Sequence, residues 1–559
     1  MNKIKGYSPK VFYASLVLIT IINLIQASSS ELILDEAYYW YFSQELALGY
    51  FDHPPMVALL VAIGNTLFSS ELGVRLFAPF LFSGSILLLW KTIEDPRKYK
   101  HYTLFILFIL SVALFNAYGF FMVPDTPMVF FAALFWYAYK KFLANKSIVS
   151  VLLLAISMAA MMYSKYMAIL LIGFILISNL KLLLNKRFLA AAILSLILYF
   201  PHLYWLYEND FVSLKYHLVG RADSQYKIVF TLEYLLGFIL ISGIAFPLIF
   251  KALFRYPYKN LFDRGMIITV IGIFTFFLFS SFNRRTQAQW PLLVLFPFII
   301  ITFTYALDHL QFRKWLKLLS VASLVLTILI RIAISNEHFS PIAYETHGNK
   351  RWVKELSDLA DSKPVVFRNS YTEASMYMFY SGKKAFSLNG YPFRPNQYDL
   401  RNEEDLYRHQ KVVYLSTRKK ADSAFGITRT YRNRIWRGVT HTNFISWRKL
   451  KLSLSEDEKL TKQDSIDFYV FNPYKETIPV SDLYFYGLSL SQKKGRMDTL
   501  PISLSKKFQK QHILPGDSLK FKAFLGEKAK LKRASYFRVC ISERNLLPFG
   551  FQGNIIPIR

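Results

Sequence analysis

Two acids stand directly before a run of aromatic residues in Asp35-Glu36-Ala37-Tyr38-Tyr39-Trp40-Tyr41-Phe42. A carboxylate at a helix start can take or hold a proton, and Tyr38, Tyr39 and Trp40 offer ring faces for a sugar or a lipid tail. Next comes Asp52-His53-Pro54-Pro55. Its prolines fix an extended approach and can open the following helix, which holds Asp52 and His53 at a helix mouth where free N–H groups attract phosphate. Further along are Asp125 in Pro124-Asp125-Thr126-Pro127, Lys165 in Tyr163-Ser164-Lys165-Tyr166, and Arg284 and Arg285 in Asn283-Arg284-Arg285-Thr286. Together these side chains could take or hold a proton and bind an anion such as a phosphate. Asp35, Glu36 and Asp125 are the candidate catalytic carboxylates, and His53, Lys165, Arg284 and Arg285 the candidate phosphate-binding groups. Asp35, Asp52, His53 and Asp125 also have the chemistry to ligate a divalent metal, Asp52 with His53 foremost.

Each residue also has a plainer reading. An acid in a first turn stabilises a helix by itself, and Asp52 or Asp125 can be a cap. The aromatics can be an interfacial belt, and the cations can snorkel to lipid phosphates. The plain readings do not require all of these residues to lie on one face of a membrane, and the elements that carry them place them there.

Apolar residues make up 53% of the 559-residue chain and fall in blocks up to about residue 333. About eleven spans are expected, at 11–27, 73–90, 103–121, 127–142, 148–163, 166–180, 188–205, 229–251, 265–281, 289–307 and 316–333. The segment 56–68 is either a further span or a helix lying at the interface. The basic N-terminus, with Lys3, Lys5 and Lys10, and its apolar continuation read as a retained first span. If 56–68 does not cross, alternate loops carry the cations: Lys10; Lys91, Arg97, Lys98 and Lys100; Lys140, Lys141 and Lys146; Lys181, Lys186 and Arg187; Lys251, Arg255, Lys259 and Arg264; Arg313, Lys314 and Lys317. The positive-inside bias then puts the N-terminus in the cytoplasm and the loops 28–72, 122–126, 164–165, 206–228 and 282–288, with everything after 333, outside. Lys165, Arg284 and Arg285 go against that bias, and a bound anion would explain them.

The formal charge of +30 suits an anionic membrane surface and calls for no nucleic acid, because much of it sits in these loops. A single cysteine, Cys540, excludes an intrachain disulfide. The helix carrying the acids is expected from Asp35 to Leu48, stopped by Gly49, with Asp35, Tyr39 and Phe42 on one face and Glu36, Trp40 and Ser43 on the next. Residues 1–333 form the expected membrane domain and 334–559 a soluble one. In the latter, Val365–Arg368 and Val412–Ser416 read as buried strands in an α/β piece. A mostly β piece follows, with strands at Phe444–Trp447, Ile466–Phe471, Leu483–Leu490, Leu519–Phe524 and Tyr536–Ile541, and a turn at Pro515-Gly516-Asp517.

The segments Asp35 to Trp40, Gly49-Tyr50-Phe51-Asp52-His53-Pro54-Pro55-Met56 and Pro124 to Pro127 resemble the bacterial family 39 glycosyltransferases. That group is similar to the dolichyl-phosphate-mannose–protein mannosyltransferases and the lipid A aminoarabinose transferase. The resemblance covers the membrane part in order and topology. It implies a GT-C fold in the cytoplasmic membrane of a bacterium, a polyprenyl-phosphate sugar donor, and a lipid A, protein or glycan acceptor on the outer face. It also implies inversion, and Asp35 as the central carboxylate. In the aminoarabinose transferases a lysine stands at the position of His53. If the acceptor is itself a phosphate, Asp35 orients the acceptor instead of deprotonating it. The competing reading is a multi-span transporter or lipid-linked sugar flippase. Such a protein would display paired half-sequences with broken helices, or ionisable residues deep within spans, and neither stands out here.

Overall fold

The computed structural model describes residues 9–558 apart from 221–225, 391–392, 402, 418–423, 455–464, 493–495, 506–507, 509–510, 527–530, 532 and 544–552. Lys3 and Lys5 of the first basic segment, and 221–225 of the expected outer loop 206–228, lie outside the described residues. The chain divides into two compact units, Met1–Arg351 with Thr430–Asn433, and Trp352–Arg429 with Arg434–Arg559.

The first unit is helical because in hydrocarbon every backbone polar group must be met within its own segment. Its helices up to the fifth are α1 Pro9–Ser29, α2 Leu34–Ser43, α3 Met56–Leu67, α4 Glu71–Arg75 and α5 Phe77–Thr92. Then follow α6 Tyr102–Leu110, α7 Ala113–Ala117, α8 Asp125–Ala144, α9 Ile148–Ser164, α10 Ala168–Ser178 and α11 Lys186–Glu208. The last are α12 Val212–Lys215, α13 Ile228–Ser242, α14 Phe246–Arg255, α15 Leu261–Ser281, α16 Leu295–Asp308 and α17 Leu310–Ser335.

Among the described residues, seven helical stretches are long and apolar enough to cross a membrane: Pro9–Ser29, Glu71–Thr92, Lys186–Glu208, Ile228–Arg255, Leu261–Ser281, Trp290–Asp308 and Leu310–Ser335. Each coincides with an expected span. The other four expected spans fall on shorter or less apolar helices. The 103–121 block breaks at Ser111-Val112 into α6 and α7, and the Ser111 carbonyl accepts a hydrogen bond from Ser323 Oγ of α17 at 2.7 Å. The 127–142 block is the 20-residue α8, which ends in the cations Lys140 and Lys141. The 17 residues of α9 and 11 of α10 are shorter still. At 1.5 Å per residue, the 12-residue α3 is about 18 Å long, well short of a ~30 Å hydrocarbon core, so 56–68 does not cross by itself. The stretch Trp290–Asp308 is 94% buried, which makes it the centre of the bundle.

The second unit holds a five-stranded sheet in the order β2-β1-β3-β5-β4. Its strands are β1 Val365–Arg368, β2 Ala385–Leu388, β3 Val412–Ser416, β4 Phe425–Arg429 and β5 Arg434–His441. β1 runs parallel to β2 and β3, whereas β3, β5 and β4 pair antiparallel. The second sheet has the order β14-β13-β9-β10-β12-β7-β6 and is antiparallel throughout. It comprises β6 Lys451–Leu454, β7 Ser465–Phe471, β9 Leu483–Leu490, β10 Arg496–Leu504, β12 Ser518–Leu525, β13 Tyr536–Glu543 and β14 Ile556–Pro557, while β8 Ile478–Pro479 and β11 His512–Ile513 pair separately. An α/β piece followed by a β piece is therefore present. Residues 444–447 are the exception: they form no strand, and Phe444 and Trp447 are buried in irregular backbone. The expected turn is present, with Gly516 at φ +72° and its N–H on the Asn472 carbonyl at 2.9 Å.

Candidate active site

Asp35 is the second residue of α2, and its side chain is exposed. Glu36, next to it, points about 100° away around the helix and is completely buried. Its Oε2 accepts from the Ile33 N–H at 3.1 Å, which closes the helix start. Its Oε1 accepts from the Met122 N–H at 2.9 Å. Both oxygens also meet Arg75 of α4, at 2.8 Å to Nε and 2.5 Å to Nη2. Arg75 in turn donates to the carbonyls of Ala27, Ser30 and Glu31 and lies 5.1 Å above the Phe121 ring. One buried ion pair thus ties together the end of α1, the start of α2, α4 and the loop leading to Asp125. Glu36 acts as a positioning group here, and the open carboxylate of the pair is Asp35.

The helix stops at Ser43, five residues before the expected end. From Glu45 the chain curls back on the Tyr50 hydroxyl, which accepts from the Ala47 N–H and donates to the Glu45 carbonyl, both at 3.1 Å. Gly49 is there for space, not as a helix stop: a Cβ on it would lie 2.3 Å from the Trp205 ring. The aromatic run packs inward. Tyr38 and Tyr39 are buried, Tyr38 at 4.5 Å edge-on to Phe42, and Phe42 stacks on Tyr50 at 4.4 Å. Only Trp40 of the three expected platform rings is partly open to solvent.

The loop 48–53 is held by side chains from the 202–217 segment, which the sequence did not single out. The Leu48 carbonyl accepts from His202 Nδ1 at 2.6 Å, the Tyr50 carbonyl from Ser213 Oγ at 2.8 Å, and the Asp52 carbonyl from His217 Nε2 at 2.8 Å. Buried carbonyls need such donors, and this irregular loop has no ladder to supply them. A carbonyl can only accept, so Nδ1 of His202 carries a proton. In the neutral ring Nε2 then accepts from the Tyr166 hydroxyl 3.0 Å away. Asp210 and Phe211, both at φ 52°, make the sharp turn that brings Ser213 and His217 back onto the loop. His53 lies edge-on to Tyr39 at 5.5 Å and 6.1 Å from the His217 ring. Arg284 joins the same cluster, its Nη1 donating to the His217 carbonyl at 2.8 Å.

Two of the expected phosphate cations have acidic partners. Lys165 Nζ meets both oxygens of Asp125, at 2.7 and 2.8 Å, in a nearly buried pair. Arg285 pairs with Glu233 at 2.7 Å on the surface. The structure therefore pairs Asp125 with Lys165, brings Asp52, His53 and Arg284 together through His217, and leaves Arg285 at the rim. Arg75, His202 and Arg331 all lie inside apolar blocks, where an ionisable residue signals a structural or functional partner. Arg331 donates to the amide oxygens of Asn23 at 2.8 Å, Asn116 at 3.2 Å and Gln26 at 3.3 Å.

Behind Asp35, Glu345 Oε2 accepts from the Leu34 N–H at 3.2 Å, and Glu31 accepts from the Asn349 and Lys350 N–H groups. Burial raises the Glu31 carboxyl above its ordinary range, against the lowering effect of those two N–H groups and the Lys350 charge. Among the described residues no three His, Cys, Asp or Glu side chains gather to hold a metal ion. Asp52 and His53 would supply two ligands to a divalent ion, with the remainder from water or a substrate phosphate.

The family described as dolichyl-phosphate-mannose-protein mannosyltransferase matches residues 52–205, the stretch that carries Asp52, His53, Asp125, Lys165 and His202. The chain resembles the family 39 glycosyltransferases. It is 24% identical over 259 residues to lipid A galacturonosyltransferase RgtD of Rhizobium johnstonii, covering 43% of this chain and 52% of that protein. It is 26% identical over 332 residues to lipopolysaccharide core galacturonosyltransferase RgtA of the same organism, covering 53% and 63%. The chain thus spans about half to three-fifths of the curated relatives it matches. In fold it is similar to apo ArnT from Cupriavidus metallidurans, with a TM-score of 0.56 at 13% identity over 77% of this chain and 98% of that one. ArnT bound to undecaprenyl phosphate gives a TM-score of 0.53 at 13% identity, covering 78% of this chain and 100% of that one. The fold is that of a multi-pass GT-C membrane protein.

Proposed function

We propose that this protein transfers a sugar from a polyprenyl-phosphate donor to an acceptor at the outer face of a bacterial cytoplasmic membrane. The N-terminus would be cytoplasmic and the β-rich unit outside. The observation that carries the reading is the cluster of the Asp52-His53 turn, His217 and Arg284, which meets α2 where His53 lies edge-on to Tyr39, four residues along that helix from the exposed Asp35. In this reading the acceptor oxygen attacks the anomeric carbon from the face opposite the phosphate. The new C–O bond forms as the bond to the phosphate oxygen breaks. The electron pair leaves with the phosphate; a hydroxyl acceptor passes its proton to Asp35, whereas a phosphate acceptor, which needs no base, is oriented by it. His53 and Arg284, at this turn, stabilise the charge that develops on the leaving oxygen. Inversion at the anomeric carbon follows from a single displacement.

The names of the curated relatives favour a glycolipid, lipid A or lipopolysaccharide core, as acceptor over a protein hydroxyl, and a uronic acid as the sugar moved. The orientation draws support from Lys98, Lys140, Arg255 and Lys259, which all lie at or beyond the helix ends remote from Asp35. The full chain in proteoliposomes, given undecaprenyl-phosphate galacturonic acid and lipid A, is expected to yield a sugar-modified lipid A and free undecaprenyl phosphate. A panel of undecaprenyl-phosphate sugars tested against lipid A, a core oligosaccharide and a serine peptide identifies the pair used. Turnover of no donor with any acceptor would remove the proposal. Donor movement across the bilayer without transfer would favour the flippase.

A further inference from the structure

A cavity of about 560 Å³ opens at the end of the helical bundle opposite Asp35. It lies where α5, α8 and α16 end and where α14 hands over to α15. The 20 residues of α8 separate Asp125 from this end by about 30 Å, so the cavity is distinct from the candidate active site. Part of its lining is apolar, with Ile93, Phe262, Met266 and Ile300, and the acids Glu94, Asp95, Asp263 and Asp308 line it as well.

The charged groups around it fall into two sets. Arg97 is neutralised by Asp95 at 2.6 Å and Asp308 at 2.5 Å. Lys140 donates to the Thr92 carbonyl at 2.7 Å and lies 3.3 Å from Glu94. Asp263 accepts from the Tyr256 hydroxyl at 3.1 Å and the Lys259 N–H at 3.0 Å. The side chains of Arg255 and Lys259 line the same cavity, are exposed, and make no ion pair among the described residues. Beside them, Phe254 is 86% and Tyr258 67% exposed, an aromatic pair of the kind that anchors a protein at the headgroup level of a bilayer. A partly apolar lining, two uncommitted cations at the rim and aromatic anchors beside the opening match a phospholipid: acyl chains meet the apolar part of the lining and Phe254, and the phosphate meets Arg255 and Lys259.

We infer that this cavity is a binding site for the phosphate headgroup of a membrane phospholipid, held by Arg255 and Lys259 at the bundle end remote from the transferase site. The test uses the purified full chain in a neutral detergent, titrated calorimetrically with dihexanoyl phosphatidylglycerol, with inorganic phosphate, and with phosphate-free dihexanoylglycerol. The short phospholipid is expected to bind saturably and at least tenfold more tightly than the other two probes. The Arg255→Gln/Lys259→Gln variant is expected to lose at least tenfold in that affinity at an unchanged melting temperature. Lys100→Gln, which removes an exposed cation outside the cavity, is expected to keep it. Single variants Arg255→Gln and Lys259→Gln give the same reading, each with a partial loss, should the double variant fail to fold. The inference is overturned if the wild type shows no saturable binding, if Lys100→Gln weakens binding as much as the pair, or if inorganic phosphate binds as tightly as the lipid. Equal binding of dihexanoylglycerol would reduce the cavity to an apolar slot and also overturn it.

Discussion

Glu36 and Arg75 provide the sharpest test of how the site is positioned. Both side chains are fully buried, and through one guanidinium Arg75 meets the end of α1 and the residues after it, Glu36 of α2, and the ring of Phe121. Removing one partner of a buried pair strands the other charge, at a cost of about 3–5 kcal/mol. Glu36→Leu also strands the Ile33 and Met122 N–H groups, each worth about 1–3 kcal/mol if it stays buried without an acceptor. Glu36→Leu is therefore expected to be the most damaging single change, at about 5 kcal/mol or more, with Arg75→Leu nearer 3–5 kcal/mol. The double variant removes both charges and is expected to recover part of the loss, with a coupling of about 1–3 kcal/mol. Equilibrium unfolding of the four proteins in detergent micelles, followed by tryptophan fluorescence, gives the cycle. Single losses below about 1 kcal/mol, or a double variant equal to the sum of the singles, would refute the account of this pair as the knot that holds α1, α2 and α4.

Lys165→Met is expected to destabilise the fold and to lower turnover together, because it leaves Asp125 buried without its cation, whereas Asp125→Asn/Lys165→Gln is expected to recover stability; unaltered stability in Lys165→Met would return Lys165 to the role of a free phosphate cation. Cysteines placed at the exposed positions Lys100 and Asp517, in a chain whose native Cys540 is buried, are expected to label from opposite sides of a sealed membrane, and labelling from one side would contradict the proposed orientation. The raised Glu31 carboxyl contributes stability that is complete below its unfolded pKa of about 4.3 and is lost as pH rises through the higher folded value. The melting temperature of wild type should therefore fall more steeply with pH above about 4.3 than that of Glu31→Gln, and parallel curves would rule out that linkage.

The sequence was most legible where one physical signal dominated. Apolar block length located the seven long spans, because burial in hydrocarbon leaves little choice of structure. β1, β3, β7, β9, β12 and β13 were visible as short β-branched and aromatic runs. The strands β2, β4, β5 and β10 were not singled out, because their runs are short or interrupted by Gly and Pro, as in Phe425-Gly426 and Pro501. At the site, residue types were readable but pairings were not. Lys165 and Arg285 looked like free cations because Asp125 and Glu233 lie 40 and 52 residues away in sequence. Asp35 and Glu36 were both read as catalytic candidates, with Asp35 central, and the partner that makes Glu36 structural, Arg75, lies 39 residues away in sequence. The signal that could have found Arg75, His202 and Arg331 was present, since each is an ionisable group inside an apolar block. The aromatic run read as a platform because composition does not tell a ring packed on Phe42 or Tyr50 from one offered to a ligand.

The central claim is that Asp35 carries turnover in sugar transfer while Glu36 carries position. The most direct measurement is single-turnover transfer from a labelled polyprenyl-phosphate sugar by wild type and by Asp35→Asn in proteoliposomes, with donor affinity and melting temperature measured alongside. A proton-accepting carboxylate contributes on the order of 10²–10⁴ in rate. Asp35→Asn is expected to lose about that factor, with near-normal stability and donor affinity because the side chain is exposed and outside the ion-pair knot. Transfer by Asp35→Asn within a few-fold of wild type would contradict the claim and turn attention to Asp52 and Asp125.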